Sequence, residues 1–117
     1  MSITRLHAGP RMSQAVVHGA TIYLAGQVAD RAKGKSVGEQ TREVLAAIDR
    51  LLAEAGSDKT RLLSATIYLA DIATFAEMNV EWDAWIPAGH APARATVEAK
   101  LAAPEYTVEI ACIAARA

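Results

Sequence analysis

Two charged residues, Arg94 and Glu109, interrupt segments otherwise built for a sheet, and their chemistry is complementary. Arg94 lies in Ala91-Pro92-Ala93-Arg94-Ala95-Thr96-Val97-Glu98. Read as an extended segment, this puts Arg94, Thr96 and Glu98 on one face and Ala95, Val97 and Ala99 on the other. A guanidinium offers a fixed fork of donors that suits a carboxylate better than an ammonium does. The same arginine can instead pair with Glu98 or another carboxylate of the chain, or reach solvent from a half-exposed sheet. Glu109 breaks the largely apolar run 107–114, where it either pairs with Arg94 or a lysine, or holds a water and accepts its proton as a general base. The pair therefore offers an anchor for a small carboxylate-bearing ligand and an activator for water.

Other chemistry-bearing residues are dispersed. Asn79 shares a helical stretch with Phe75 and Trp82, where an asparagine serves as a surface residue or ties the helix to a neighbouring segment. His7, His18 and His90 are far apart and no nucleophile elbow accompanies them, so no triad is built from them. The sequence carries no phosphate-binding glycine motif and no Cys/His spacing suited to a metal, so neither a metal nor a bound cofactor is expected. Cys112 falls on the strand face expected to lie under helices and reads as a buried structural thiol.

The elements that must position these residues follow from periodicity. Residues 3–6, 15–18 and 21–25 read as strands, the last two joined by the compact turn His18-Gly19-Ala20. Ser36-Val37-Gly38-Glu39 matches a capping box, and Val37, Thr41, Val44, Leu45, Ile48, Leu51, Leu52 and Ala55 keep helical spacing up to Gly56, a left-handed terminator. Residues 61–70 form a further strand with Ser64, Thr66 and Tyr68 alternating against Ala65, Ile67 and Leu69. Thr74-Phe75-Ala76-Glu77 repeats the capping signature before a short helix carrying Phe75, Met78, Trp82 and Trp85. The arginine segment and 107–114 complete the order β-β-β-α-β-α-β-β. This is an α+β arrangement, a six-stranded mixed sheet with two helices on one face. The other face needs a cover, and self-association is the economical one.

The 117 residues suit one domain, and 12 Lys+Arg against 13 Asp+Glu give no basic excess for binding nucleic acid or an anionic membrane. A single cysteine excludes an internal disulfide. With no secretory apolar segment and no run long enough to span a bilayer, the expectation is a soluble, cytoplasmic protein.

Taken together, the chain resembles the YjgF/RidA family of reactive-intermediate (imine) deaminases over nearly its whole length, residues 1–117 forming a single such domain. The matching pieces are Gly26-Gln27, Phe75-Ala76 with Asn79, Pro92-Ala93-Arg94 with Val97-Glu98, and Val108-Glu109-Ile110. It is most similar to the RutC-like or YoaB-like branch. The resemblance implies a chorismate-mutase-like homotrimer with a central barrel, helices outside and a cleft at each subunit interface. It also implies cofactor-independent hydrolysis of 2-imino or 2-enamino acids to 2-keto acids and ammonia. Arg94 falls on the family's substrate-carboxylate arginine and Glu109 on its water-positioning acid, while Asn79 and Gly26 fall on residues bordering the site. Three positions depart from the family. Met12 stands where a tyrosine is usual, Ala25 where a serine is usual, and Thr96 where a cysteine is usual. The implied catalytic pair is Arg94 and Glu109; the substrate-binding set is Arg94, Asn79, Gly26, Met12, Ala25 and Thr96. With two site hydroxyls missing, a second reading stays open, a trimeric protein that binds a keto acid or amino acid without turning it over. Endoribonuclease and holdase activities have also been attached to the family, the first with little support from so balanced a charge.

Overall fold

Alternation along the strands puts one row of apolar side chains from each under the helices. The computed structural model, which describes residues 1–117, builds this as two layers. Strands β1 (Ile3–Leu6), β2 (Ala15–His18), β3 (Thr21–Leu24) and β4 (Gln27–Val28) come first. Helix α1 (Val37–Glu54), β5 (Leu62–Leu69), α2 (Phe75–Trp85), β6 (Ala93–Glu98) and β7 (Val108–Ala115) follow. The sheet runs β1-β2-β3-β7-β5-β6, with β4 also paired to β7. Only the β5–β6 pairing is parallel.

The continuous ladder has the six strands that periodicity predicts, and the two-residue β4 makes a seventh. Its origin is a bulge. Tyr23 pairs with Ile113 and Gln27 with Ile110, so three residues on one side oppose two on the other. The chain leaves β7 at Ala25-Gly26 and rejoins it at Gln27. The loop at residues 30–35 and the turn at Gly19, whose φ is 61°, match the expected connections.

Helix α1 begins as its capping box requires, with the Glu39 amide donating to Ser36 Oγ at 3.2 Å. The return contact differs from the usual one, because the Ser36 hydroxyl itself donates to Glu39 Oε1 at 3.1 Å. Gly56, at φ 83°, ends the helix, with its own amide donating to Ala53 O and that of Ser57 to Leu52 O. The second capping signature is not realised: Thr74 makes no cap bond, and its hydroxyl donates to Asp71 O at 2.6 Å. Glu77 instead accepts from the Gly38 amide at 2.9 Å, so α2 caps the N-terminus of α1. Tertiary contact has overridden a local pattern.

Between the layers lie Val44, Leu45, Ile48 and Leu52 of α1, Met78 and Trp82 of α2, and Ala65, Ile67, Leu69, Val108, Ile110, Cys112 and Ala114 of the sheet, all buried. Fully burying one such leucine or isoleucine contributes about 1.5–3 kcal/mol. Trp85 packs 5.5 Å from Trp82 between ring centroids and donates its indole N–H to Asp49 Oδ2 at 2.9 Å, pinning α2 to α1. No helix is long and apolar enough to cross a membrane. The opposite sheet face, carrying Val16, Tyr23, Ile113, Ala111, Tyr68 and Val97, has no layer of this chain over it; Tyr23 is 47% and Val97 44% exposed.

Gln40, fully buried, joins α1 to the turn before β7. Its amide donates to Lys35 O at 3.1 Å and Glu105 O at 2.9 Å, and accepts from the Thr107 amide at 2.9 Å. Gln40→Leu leaves those backbone groups unpaired and is expected to cost about 2–3 kcal/mol in chemical denaturation. Burial pushes the Cys112 thiol up to about 12, while unfolding returns it to its ordinary value of 9.0. The unfolded chain therefore releases this proton first, and stability falls with rising pH between those values, with a limiting slope of about 1.4 kcal/mol per pH unit. Alkaline melting curves should decline more steeply for wild type than for Cys112→Ala.

Candidate active site

Arg94 sits near the start of the edge strand β6, directly across from Ala65, with Thr96 across from Ile67. Both therefore face the helices. Helix α2 meets the arginine with one stripe of side chains, because Phe75, Asn79 and Trp82 are spaced four and three residues apart. Arg94 Nη1 donates to Asn79 Oδ1 at 2.8 Å, and the guanidinium carbon lies 5.2 Å from the Trp82 ring centroid and 5.7 Å from that of Phe75. Two ring faces and an amide hold the fork by cation–π attraction and one hydrogen bond. No carboxylate of the chain pairs with it. The ion pairs are His7–Glu54 and Arg42–Glu81, and Glu98 accepts from the Ile72 amide at 3.0 Å. Internal pairing of Arg94, open on sequence alone, is not used, and the rest of its fork makes no hydrogen bond within the chain. The Thr96 hydroxyl, on the same face, is buried without a partner.

Glu109 belongs to the opposite face. It pairs across β7 with Tyr68 and Val28, while its neighbours Val108 and Ile110 point into the core. The bulge explains the glycine beside it: a Cβ at Gly26 would lie 2.0 Å from Glu109 Oε2, so any side chain there displaces the carboxylate. Gln14 fastens the preceding loop to this corner, its carbonyl accepting from the Ala25 amide at 2.9 Å and its side chain from Gln27 Nε2 at 2.9 Å. That loop carries Met12, about half exposed and closed onto the Gly9 amide through its carbonyl at 2.8 Å. Glu109 and Gly26 line a cleft of about 410 Å³ together with Tyr68 and Lys100.

The sequence-predicted residues thus separate into two sets. Arg94 and Thr96 lie on the helix-facing side with Asn79 of α2; Gly26 and Glu109 share the other face, and hydrogen bonds through Gln14 attach the loop of Met12 to the adjoining Ala25. One chain does not bring the two together, nor do Arg94 and Glu109 form an ion pair. Sequence reasoning did not single out Tyr68 and Lys100. The missing signal is strand pairing: β5 lies beside β7 with Tyr68 opposite Glu109, a register that no single-strand pattern reveals. No group of three or more His, Cys, Asp or Glu residues is placed to hold a metal ion.

The family described as Endoribonuclease L-PSP matches residues 2–116. A YjgF-family protein of Neisseria meningitidis has the same fold at a TM-score of 0.96 and 50% identity, over 100% of this chain and 97% of that one. The chain belongs to the YjgF/RidA family. Within it, the RutC family protein YoaB of Escherichia coli is 48% identical over 98% of this chain and 99% of its own. More distantly, the 2-iminobutanoate/2-iminopropanoate deaminase of Bos taurus is 36% identical over 87% of this chain and 77% of its own. The two helices on a mixed, mostly antiparallel sheet are the YjgF architecture, as the resemblance implies.

Gly26→Ala tests the geometry of the Glu109 corner. Relief of so short a contact requires the carboxylate or the bulge to move by about 1 Å or more, a shift visible in a crystal structure of the variant. An unmoved Glu109 would contradict the close approach.

Proposed function

We propose that copies of this chain assemble head to tail into a closed ring of three, setting the Arg94 corner of one against the Glu109 corner of the next. Each interface then hydrolyses a small 2-imino or 2-enamino acid to a 2-keto acid and ammonia, without a cofactor. The observation that carries this reading is Arg94: a fork held between two aromatic rings, with no carboxylate of its own chain to bind. The half-exposed apolar sheet face supplies the contact surface, and the bovine relative supplies the reaction class. The lone, buried thiol of Cys112 suits a reducing cytoplasm as the setting.

In this reading the substrate carboxylate pairs with Arg94, which fixes the imine carbon against the next subunit's Glu109. Glu109 takes a proton from water as its oxygen bonds to that carbon, giving a neutral carbinolamine from the iminium. The proton passes from Glu109 to the amine, the C–N bond breaks to free ammonia, and the ammonia takes up the hydroxyl proton as the carbonyl forms. The products are a 2-keto acid and ammonium, so atoms and charge balance.

A second reading has its own observation. Neither Met12 nor Ala25, the residues attached to the Gly26 corner, carries a side-chain hydroxyl, which suits a protein that binds a keto acid without turnover. One experiment separates the two. An amino-acid oxidase generates imino acids from a panel of amino acids while semicarbazide competes for them. Wild type should lower semicarbazone formation, and Arg94→Ala should lose about 2–5 kcal/mol of transition-state stabilisation in kcat/KM. Equal rates for the two proteins would remove Arg94 from the mechanism. A keto acid that raises the Tm with no hydrolysis across the panel would select the binding reading.

A further inference from the structure

Among the side chains lining the Glu109 cleft, only Tyr68 and Lys100 carry polar groups besides Glu109 itself. Lys100 is exposed and lies in the connection between β6 and β7, whereas Tyr68 is half buried near the end of β5, one strand in from the sheet edge. Tyr68 and Glu109 are direct partners across antiparallel β5 and β7, so their side chains leave the same face with Cβ atoms about 4.5–5.5 Å apart. Neither the phenol nor the carboxylate makes a hydrogen bond or ion pair within the chain, whereas the neighbouring Gln27 amide is committed to Gln14 and Ala25. Backbone pairing on both sides fixes the position of Tyr68, through Glu109 on one side and Val97 on the other.

We infer that Tyr68 is a second water-positioning residue of the site, an inference that rests on Glu109 being the base. A water held by a carboxylate alone keeps one proton free to point anywhere. With the phenol carried on the neighbouring strand opposite Glu109, the water donates one hydrogen to Glu109 and the other to Tyr68 Oη. Its lone pair is then aimed outward from the sheet, where the imine carbon of a carboxylate-anchored substrate arrives. As the O–C bond forms, one proton passes to Glu109 while the other stays on oxygen, still hydrogen-bonded to Tyr68. The phenol undergoes no net proton transfer; its part is orientation.

Tyr68→Phe is the test, since it removes one oxygen and keeps the ring that packs on the sheet. In the oxidase-coupled assay, kcat should fall about tenfold or more while KM stays within about twofold, because Tyr68 touches the water and not the substrate carboxylate. Arg94→Ala serves as the contrast, raising KM as well. The Tm of Tyr68→Phe should match wild type, and a larger solvent deuterium isotope effect should mark water addition as newly limiting. A purely structural tyrosine would shift the Tm and leave the isotope effect alone. Wild-type turnover with an unchanged kcat in Tyr68→Phe overturns the inference and leaves the deaminase reading standing. No turnover by wild type across the panel overturns both.

Discussion

A β-strand sends successive side chains to opposite faces, and in this sheet that rule separates the two residues with the clearest chemistry. Arg94 lies across from a core alanine and points under α2; Glu109 alternates with core residues and points away from the helices. No rotamer change carries either through the sheet. If the two act on one molecule, they come from different copies, and the apolar face left without a layer is the surface open to such a contact. The same alternation that builds the core thus sets the two residues on opposite faces of the sheet.

Helix α2 does more than fill that core. Its stripe of Phe75, Asn79 and Trp82 holds the guanidinium, Met78 and Trp82 are buried against the sheet, and Glu77 caps α1. Because one short helix anchors both the arginine and the neighbouring helix, the fork inherits the rigidity of the hydrophobic layer. On the other face, the bulge at Ala25-Gly26 plays the corresponding part by bringing backbone so close to the Glu109 carboxylate that an added Cβ displaces it. Each corner is preorganised by a feature of the fold rather than by a flexible loop.

Much of this was legible in the chain. Period-two patterns located the strands, and the Ser36–Glu39 box with the spacing from Val37 to Ala55 located α1 and its buried face. Arg94 and Glu109 stood out because a charge in a strand demands a reason, Gly26 entered through the family resemblance, and the partners of Arg94 on α2 were within reach of helical spacing. What stayed hidden depends on pairing between segments distant in sequence. The two-residue β4 exists only through its bond to β7, Glu77 answers to Gly38 rather than to Thr74, and Tyr68 meets Glu109 only once β5 and β7 lie side by side. Local patterns specify which face a residue takes, but not which neighbour waits there.

The most direct measurement concerns the division of the site between chains. Arg94→Ala and Glu109→Gln subunits, each inactive alone, are mixed in equal amounts, unfolded and refolded together. In a head-to-tail ring each site takes Arg94 from one chain and Glu109 from the next, so random assembly regenerates about one quarter of the wild-type sites. Recovery of about that fraction of activity is the expected result. Mixed assemblies that form and remain inactive would show that each chain carries its own complete site, and would contradict the account.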